Sequence, residues 1–410
     1  MNLKSQLIER FFRYLAISSQ SNATAKQVPS SEGQWEMAKL LAKELEALGL
    51  ANIEIDEYSN VTAILKGSIP DATPIGFIAH MDTVDVSLSP NIYPQILTFE
   101  GEDLCLNKEK NIWLKVSEHP EILAYPNQEI IFSDGTSVLG ADNKAAIANI
   151  MTALSIIKEQ NIPTGDIYIA FVPDEEIGLR GAKLLDLSRF KPDFAYTIDC
   201  CELGEVVYEN FNAASATIHI QGVSAHPMSA KGVLINPILV AQDLIALFDR
   251  TQTPECTEHK EGYWWFNGIS GNQSNATVQI AIRDFDKKSF EDRKAFIVKS
   301  VAQIQQRYPR AKLDCVITDV YGNIANTLTE DKRSIDLLFK AMDEIQVPAK
   351  VIPMRGGTDG AALSVKGITT PNYFTGAHNF HSNFEFLPIS AFEKSCELTL
   401  KIITLATSLK

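Results

Sequence analysis

Strand-like apolar runs alternate with helical segments through the first half of this chain, and four stretches end in side chains able to hold a metal ion. They read Ile75-Gly76-Phe77-Ile78-Ala79-His80-Met81-Asp82, Gly140-Ala141-Asp142-Asn143-Lys144, Phe171-Val172-Pro173-Asp174-Glu175-Glu176 and Ala195-Tyr196-Thr197-Ile198-Asp199. Strands alternating with helices mean a mainly parallel sheet covered on both faces. Ligands of such a sheet bind beyond the carboxyl ends of its strands. His80, Asp142, Glu176 and Asp199, joined by His381 near the C-terminus, would converge there as a two-metal hydrolytic site.

At 410 residues the chain is too long for one core, so two or three domains are expected. Its formal net charge of −14 and lack of basic clusters argue against nucleic acid, phosphate ligands or an anionic membrane as partners. Cys105, Cys200, Cys201, Cys256, Cys315 and Cys396 show no CxxC spacing and are read as free thiols in a reducing compartment. The first ten residues mix charge with apolar side chains as an amphipathic helix does, without the apolar core of a secretory signal. No apolar run is long enough to span a bilayer, so a soluble, cytoplasmic protein is expected. The glycosylation triplets at Asn22, Asn272 and Asn275 are then chance matches.

Two helices are expected over residues 1–50, the second from Glu32 to Leu48 and closed by Gly49, followed by strands at Ile53–Tyr58, Val61–Lys66 and Pro74–Ala79. Ser87–Pro126 lacks periodicity and reads as irregular or as a hairpin excursion. A helix over Ala145–Lys158, a strand Asp166–Val172, a helix Gly181–Leu187 and a strand Phe194–Ile198 continue the pattern. The register changes near Asn210, where strand Ser215–Ile220, helix Pro237–Phe248, strand Ala276–Phe285, helix Ser289–Tyr308 and strand Lys312–Tyr321 suit a small α/β sandwich. Helix Asp331–Ile345, a Gly-rich turn at Arg355–Gly360, a strand near Pro371–Phe374 and a helix from Ser390 resume the first pattern. The expected fold is a mainly parallel mixed-sheet α/β catalytic domain, residues 1–210 and 324–410, with an inserted α/β-sandwich lid over 211–323. Such a lid is expected to close on substrate.

Taken singly, each candidate ligand has an ordinary reading. A lone His such as His80 is more often structural, although Asp82 on the same strand face could orient its far nitrogen. Asp142 stands where helix N-caps stand. Asp174-Glu175-Glu176 could be a solvated turn closed by Gly178, but three successive acids repel unless a cation or solvent is at hand. Asp199 could simply terminate its strand, and Cys200 and Cys201 read as packing thiols rather than zinc ligands. His378 and His381 are both available as the second imidazole, and spacing does not choose between them. Together the residues divide into two sites, His80 with Asp199 and Glu176 with His381, bridged by Asp142. Paired ions about 3.5–4 Å apart would clamp a hydroxide, with Glu175 taking the proton from the water and passing it to the leaving amine. Nitrogen and oxygen donors favour zinc, two ions per chain, with cobalt and manganese as substitutes.

Eight segments carry a family resemblance: Gln27-Val28-Pro29-Ser30-Ser31-Glu32-Gly33-Gln34-Trp35, Ala79–Thr83, Leu139–Asp142, Pro173–Glu176, Glu209-Asn210-Phe211-Asn212-Ala213-Ala214-Ser215, Ala230–Val233, Ile282-Arg283-Asp284-Phe285-Asp286 and Arg355-Gly356-Gly357-Thr358-Asp359-Gly360-Ala361. In them the chain resembles the tripeptide aminopeptidases of the peptidase T type, within the co-catalytic zinc peptidases related to carboxypeptidase G and succinyl-diaminopimelate desuccinylase. The resemblance implies an aminopeptidase releasing the N-terminal residue from tripeptides. It assigns His80, Asp142, Glu176, Asp199 and His381 as metal ligands and Asp82 and Glu175 as catalytic. It also implies that His226 holds substrate or the developing oxyanion and that Arg283 and Arg355 anchor the peptide's terminal carboxylate. Two departures stand out: Cys200-Cys201 where the family usually has Gly-Gly, and Asn143 where it commonly has a second Asp. A deacylase of N-acyl amino acids built on the same site is the alternative reading, and a metal-free binding relative is a third. Monomer and homodimer both remain open.

Overall fold

The computed structural model describes residues 2–329 and 331–409, so Met1, Glu330 and Lys410 lie outside the described residues. The chain divides into two compact units. The first comprises residues 1–208, 327–352 and 358–410, and the second residues 209–326 with 353–357.

The first unit is built on an eight-stranded mixed sheet in the order Ala51–Ile55, Val61–Leu65, Ile167–Val172, Ile75–His80, Phe194–Cys200, Asn372–Phe374, Glu205–Val207 and Lys350–Val351. Its centre, from Ile167–Val172 to Asn372–Phe374, is parallel. These strands are buried on both faces, as a parallel sheet covered by helices must be, and so they read as continuous apolar runs. The apolar face of the N-terminal helix Leu3–Leu15 buries Leu7, Phe11, Tyr14 and Leu15. Helix Glu32–Ala47 ends where Gly49 takes a left-handed φ of +74°, which a residue without Cβ adopts at little cost.

Helix Ala141–Gln160 is buried nearly all round, packed against strands Ile75–His80 and Phe194–Cys200 and against the terminal helices Leu3–Leu15 and Ile389–Ala406. Removing each such Ile or Leu from water is worth about 1.5–3 kcal/mol, so this helix is a fixed support for whatever its N-terminus carries. The stretch read as irregular or as a hairpin excursion does hold a hairpin, and a sheet strand besides. Strand Gln95–Phe99 joins Gln128–Phe132 and Phe386–Pro388 in a three-stranded sheet, beside a hairpin of Leu104–Asn107 and Ile112–Leu114. Phe99, Leu106, Leu114, Ile122, Ile130, Phe132 and Phe386 form a separate small core there.

The second unit is a two-layer sandwich. An antiparallel sheet in the order Tyr263–Gly271, Asn275–Asp284, Asn212–Gln221 and Lys312–Tyr321 packs against helices Pro237–Ile245 and Lys287–Arg307. Along Asn212–Gln221 the buried Ala214, Ala216, Ile218 and Ile220 alternate with Ser215, Thr217, His219 and Gln221, the pattern of a sheet with one covered face. The edge strand Tyr263–Gly271 was not expected from the sequence. Among the described residues no helix is long and apolar enough to cross a membrane.

Candidate metal centre

Sheet register brings three of the candidate segments together. Strand Ile75–His80 lies between Ile167–Val172 and Phe194–Cys200, with His80 level with Val172 and Ile78 level with Thr197. Two residues beyond the last pair come His80 and Asp199, and the acidic segment 174–176 leaves the neighbouring strand at the same rim.

Asp142 reaches this rim from the start of its helix, but not as a cap. Gly140 occupies the N-cap position with φ +76°, and Asp142 itself has a non-helical backbone. The buried Glu385 holds this turn open by accepting the Gly140 N–H at 2.8 Å and the Asp142 N–H at 3.2 Å. The Asp142 carboxylate then faces two imidazoles, Oδ1 lying 2.9 Å from His80 Nε2 and Oδ2 lying 3.0 Å from His381 Nε2. His381 Nε2 is also 2.9 Å from Glu176 Oε1. Burial opposes charge on Asp142, yet the two imidazoles outweigh it and hold its carboxyl well below the usual carboxylate range.

Asp82 is wholly buried and organises two segments at once. His80 Nδ1 lies 3.0 Å from the Asp82 main-chain oxygen and 3.4 Å from its carboxylate. The same carboxylate accepts the backbone N–H groups of Glu175 at 3.0 Å and Glu176 at 3.2 Å. Burial works against a charged His80, but Asp142 and Asp82 raise it well above its ordinary value. Asp142 and Glu176 likewise raise His381, to about 10. Burial pushes Glu175 and Asp199 well above the carboxylate range and Glu176 up to about 7. This crowding of buried carboxyl groups suits a site that accepts cations.

Donor atoms of His80, Asp142 and Asp199 lie within 4.8 Å of one another, as do those of Asp142, Glu176 and His381 and those of His80, Glu175 and Glu176. The first two groups share Asp142, so the donor set fits a pair of ions bridged by one carboxylate. His378 lies elsewhere. Its Nε2 meets the Tyr125 hydroxyl at 2.8 Å and its ring stacks on Phe386 at 4.7 Å. Cys200 and Cys201 join none of the groups, and burial raises both thiols far from the thiolate that metals bind. All six cysteines are unpaired.

His226, Arg283 and Arg355 belong to the second unit. His226 is exposed, and its Nδ1 accepts the Met228 N–H at 3.2 Å. Arg283 donates to the carbonyls of Ala214 and Ile282 and lies over the Tyr321 ring. Arg355 donates to the carbonyls of His259 and Glu261 and to Thr257 Oγ1, and its guanidinium lies against the rings of both Phe211 and Tyr263. The hydrogen bonds of both guanidinium groups thus go to neutral acceptors among the described residues.

Three further residues stand around the centre, of which only Asn143 is marked in the sequence, as a departure from the family pattern. Asn143 donates through Nδ2 to the Ile198 carbonyl at 2.7 Å and to Asp199 Oδ1 at 3.2 Å, contacts an ionised Asp at that position could not donate. Lys144 is buried, donates to the Ile17 carbonyl at 2.6 Å, and is lowered by burial to about 7. Asp359, within the segment Arg355–Ala361, is 1% exposed with neither carboxylate oxygen hydrogen-bonded among the described residues. Burial pushes it up to about 7.

A family model described as peptidase family M20/M25/M40 matches residues 140–405. A peptidase T-like protein of Yersinia pestis is 63% identical over 98% of this chain and 97% of its own length. A peptidase T of Caldanaerobacter subterraneus is 43% identical over 98% of each chain. The crystal structure of aminopeptidase PepT from Bacillus cereus superposes with a TM-score of 0.76 at 22% identity, covering 98% of both chains, which speaks to the fold alone. With a match over well over half its length and relatives this similar end to end, the chain belongs to peptidase family M20/M25/M40 and is a hydrolase.

Proposed function

We propose that this chain is a metal-dependent aminopeptidase that releases the N-terminal residue of tripeptides. Two zinc ions would be held by His80, Asp199 and Asp142 on one side and by Glu176, His381 and Asp142 on the other, with cobalt and manganese as substitutes. The observation that carries this reading is Asp142, whose two carboxylate oxygens each face a different imidazole, as a bridging ligand requires. The peptidase T names among its relatives support the substrate class.

When bound, such a pair of ions lowers the pKa of a shared water and polarises the carbonyl of the scissile bond. The protein's own contribution starts with Glu175, which takes a proton from the water and returns it to the departing nitrogen. Asp82 fixes the ring of His80 and holds the main chain on which Glu175 and Glu176 sit. In the inserted unit, Arg283 and Arg355 suit the terminal carboxylate of a short peptide, since a guanidinium fork grips a carboxylate through two parallel bonds. His226 would hold the substrate carbonyl or its oxyanion.

Hydrolysis of unblocked di-, tri- and tetrapeptides, with chelator and zinc add-back, tests the proposal. Zinc-restorable release of the first residue from tripeptides is expected. Preferential hydrolysis of N-acetyl amino acids by the zinc-loaded protein would replace the aminopeptidase with a deacylase on the same site.

A further inference from the structure

The segment Asp174-Glu175-Glu176 has a demanding task, because it aims two consecutive carboxylates at different points of one site. Asp174 has φ +55°, a left-handed conformation that Asp adopts more readily than most side chains but that contacts around it must still hold in place. Asp82 grips the segment from one side through the Glu175 and Glu176 amides.

The other side is held by Gln34, on the first turn of helix Glu32–Ala47. Its Oε1 accepts the Asp174 backbone N–H at 2.9 Å, and its Nε2 donates to Asp174 Oδ1 at 2.8 Å. Ser30 Oγ donates to the same Oδ1 at 2.5 Å. Gln34 and Asp174 are wholly buried and Ser30 nearly so. The helix start is itself fixed, since a Cβ on Gly33 would lie 1.7 Å from the Ser18 carbonyl oxygen. Asp174 Oδ2 is buried without a hydrogen-bond partner, so the carboxylate is anchored through Oδ1 alone among the described residues.

We infer that Gln34, helped by Ser30, is a positioning residue: its side-chain amide clamps the left-handed turn at Asp174 and thereby aims Glu175 and Glu176. This inference rests on the roles proposed above for those two glutamates. The chemistry selects an amide, because the clamp needs an acceptor for the N–H and a donor for the carboxylate in one plane. A carboxylate of the same length offers only acceptors and would repel Asp174.

Gln34→Ala, Gln34→Glu and the double variant Gln34→Glu/Asp174→Asn test the clamp, the last restoring a donor opposite an acceptor. Two readouts are needed: tripeptide turnover by the zinc-loaded protein, and affinity and visible absorption of the cobalt-loaded protein. Both single variants should lose about tenfold or more in kcat with KM within about twofold, and about tenfold in affinity for one of two cobalt ions. The double variant should recover most of both losses. Unchanged kcat and cobalt absorption in the single variants would overturn the inference, as would a folded double variant that recovers neither. If Gln34→Ala does not fold, the near-isosteric Gln34→Glu and its double variant decide the matter. If the parent protein leaves tripeptides intact, the proposed function falls while the cobalt readout still judges Gln34.

Discussion

Glu175 and Glu176 are chemically alike and adjacent, yet their surroundings separate them. Glu176 lies 2.9 Å from His381 through Oε1, which places both donors where the proposed second ion would sit. Glu175 lies in neither of the two groups that share Asp142, and its amide is fixed by Asp82, an arrangement consistent with the proposed role of its carboxylate in proton transfer. Glu175→Gln keeps size and removes the base, so turnover should fall about 100- to 10,000-fold. Metal content measured by atomic emission should stay that of the parent; loss of metal together with activity would make Glu175 a ligand instead. The meeting of His80, Asp142, Glu175, Glu176, Asp199 and His381 was legible in the order of residues along the chain, because acids and imidazoles at successive strand ends have one place to meet. The scaffolding around them was not. Nothing in the composition near Glu385 tells that it holds the Gly140 and Asp142 amides, 245 and 243 residues away. Spacing left His378 and His381 equal and only the family resemblance separated them; that His378 is engaged by Tyr125 and Phe386 instead is a tertiary fact.

Elements with a clean period were the readable ones. Lys312–Tyr321 occupies the expected residues, and Glu32–Ala47 ends one residue before its expected limit. Tyr263–Gly271 escaped because Trp264-Trp265-Phe266 runs apolar without alternation, and Gly268 sits where the pairing register shifts. Short strands fare worst, and Glu205–Val207 owes its place to partners on either side rather than to its own sequence. The turn before it carries a testable cost. Burial raises the Glu205 carboxyl above its ordinary value, although its Oε2 accepts the N–H groups of Cys201 and Glu202 at 3.0 and 3.1 Å. The folded chain thus binds this proton more tightly than the unfolded one, so the group favours folding at low pH and that contribution is lost as pH rises through the folded value. Glu205→Gln retains an acceptor for both amides and cannot ionise. Its melting temperature should equal the parent's near pH 4 and exceed it by about one to two degrees near pH 8. A variant that melts below the parent at the higher pH would mean that attraction to Lys350 outweighs the burial.

Across the whole molecule the proposed labour is split between units. The five proposed ligands, Asp82 and Glu175 all fall in the first unit, and His226, Arg283 and Arg355 all fall in the second. Metal binding and peptide-end recognition should therefore be separable by mutation. Testing Arg355 needs a control, because it donates to two carbonyls and a hydroxyl and simple truncation would disturb the 257–261 segment. The substrate can carry that control. A charge-assisted hydrogen bond is worth about 1.5–3 kcal/mol, so a tripeptide with a free carboxylate should outrun its C-terminal amide by about 10- to 150-fold in kcat/KM. In Arg355→Ala that ratio should collapse toward unity while zinc affinity stays at the parent value. Any general loosening of the inserted unit would slow both substrates alike and leave the ratio standing. An undiminished preference for the free carboxylate in Arg355→Ala would move the anchor to Arg283, and its survival in the double variant would remove both arginines from the recognition of the peptide's end.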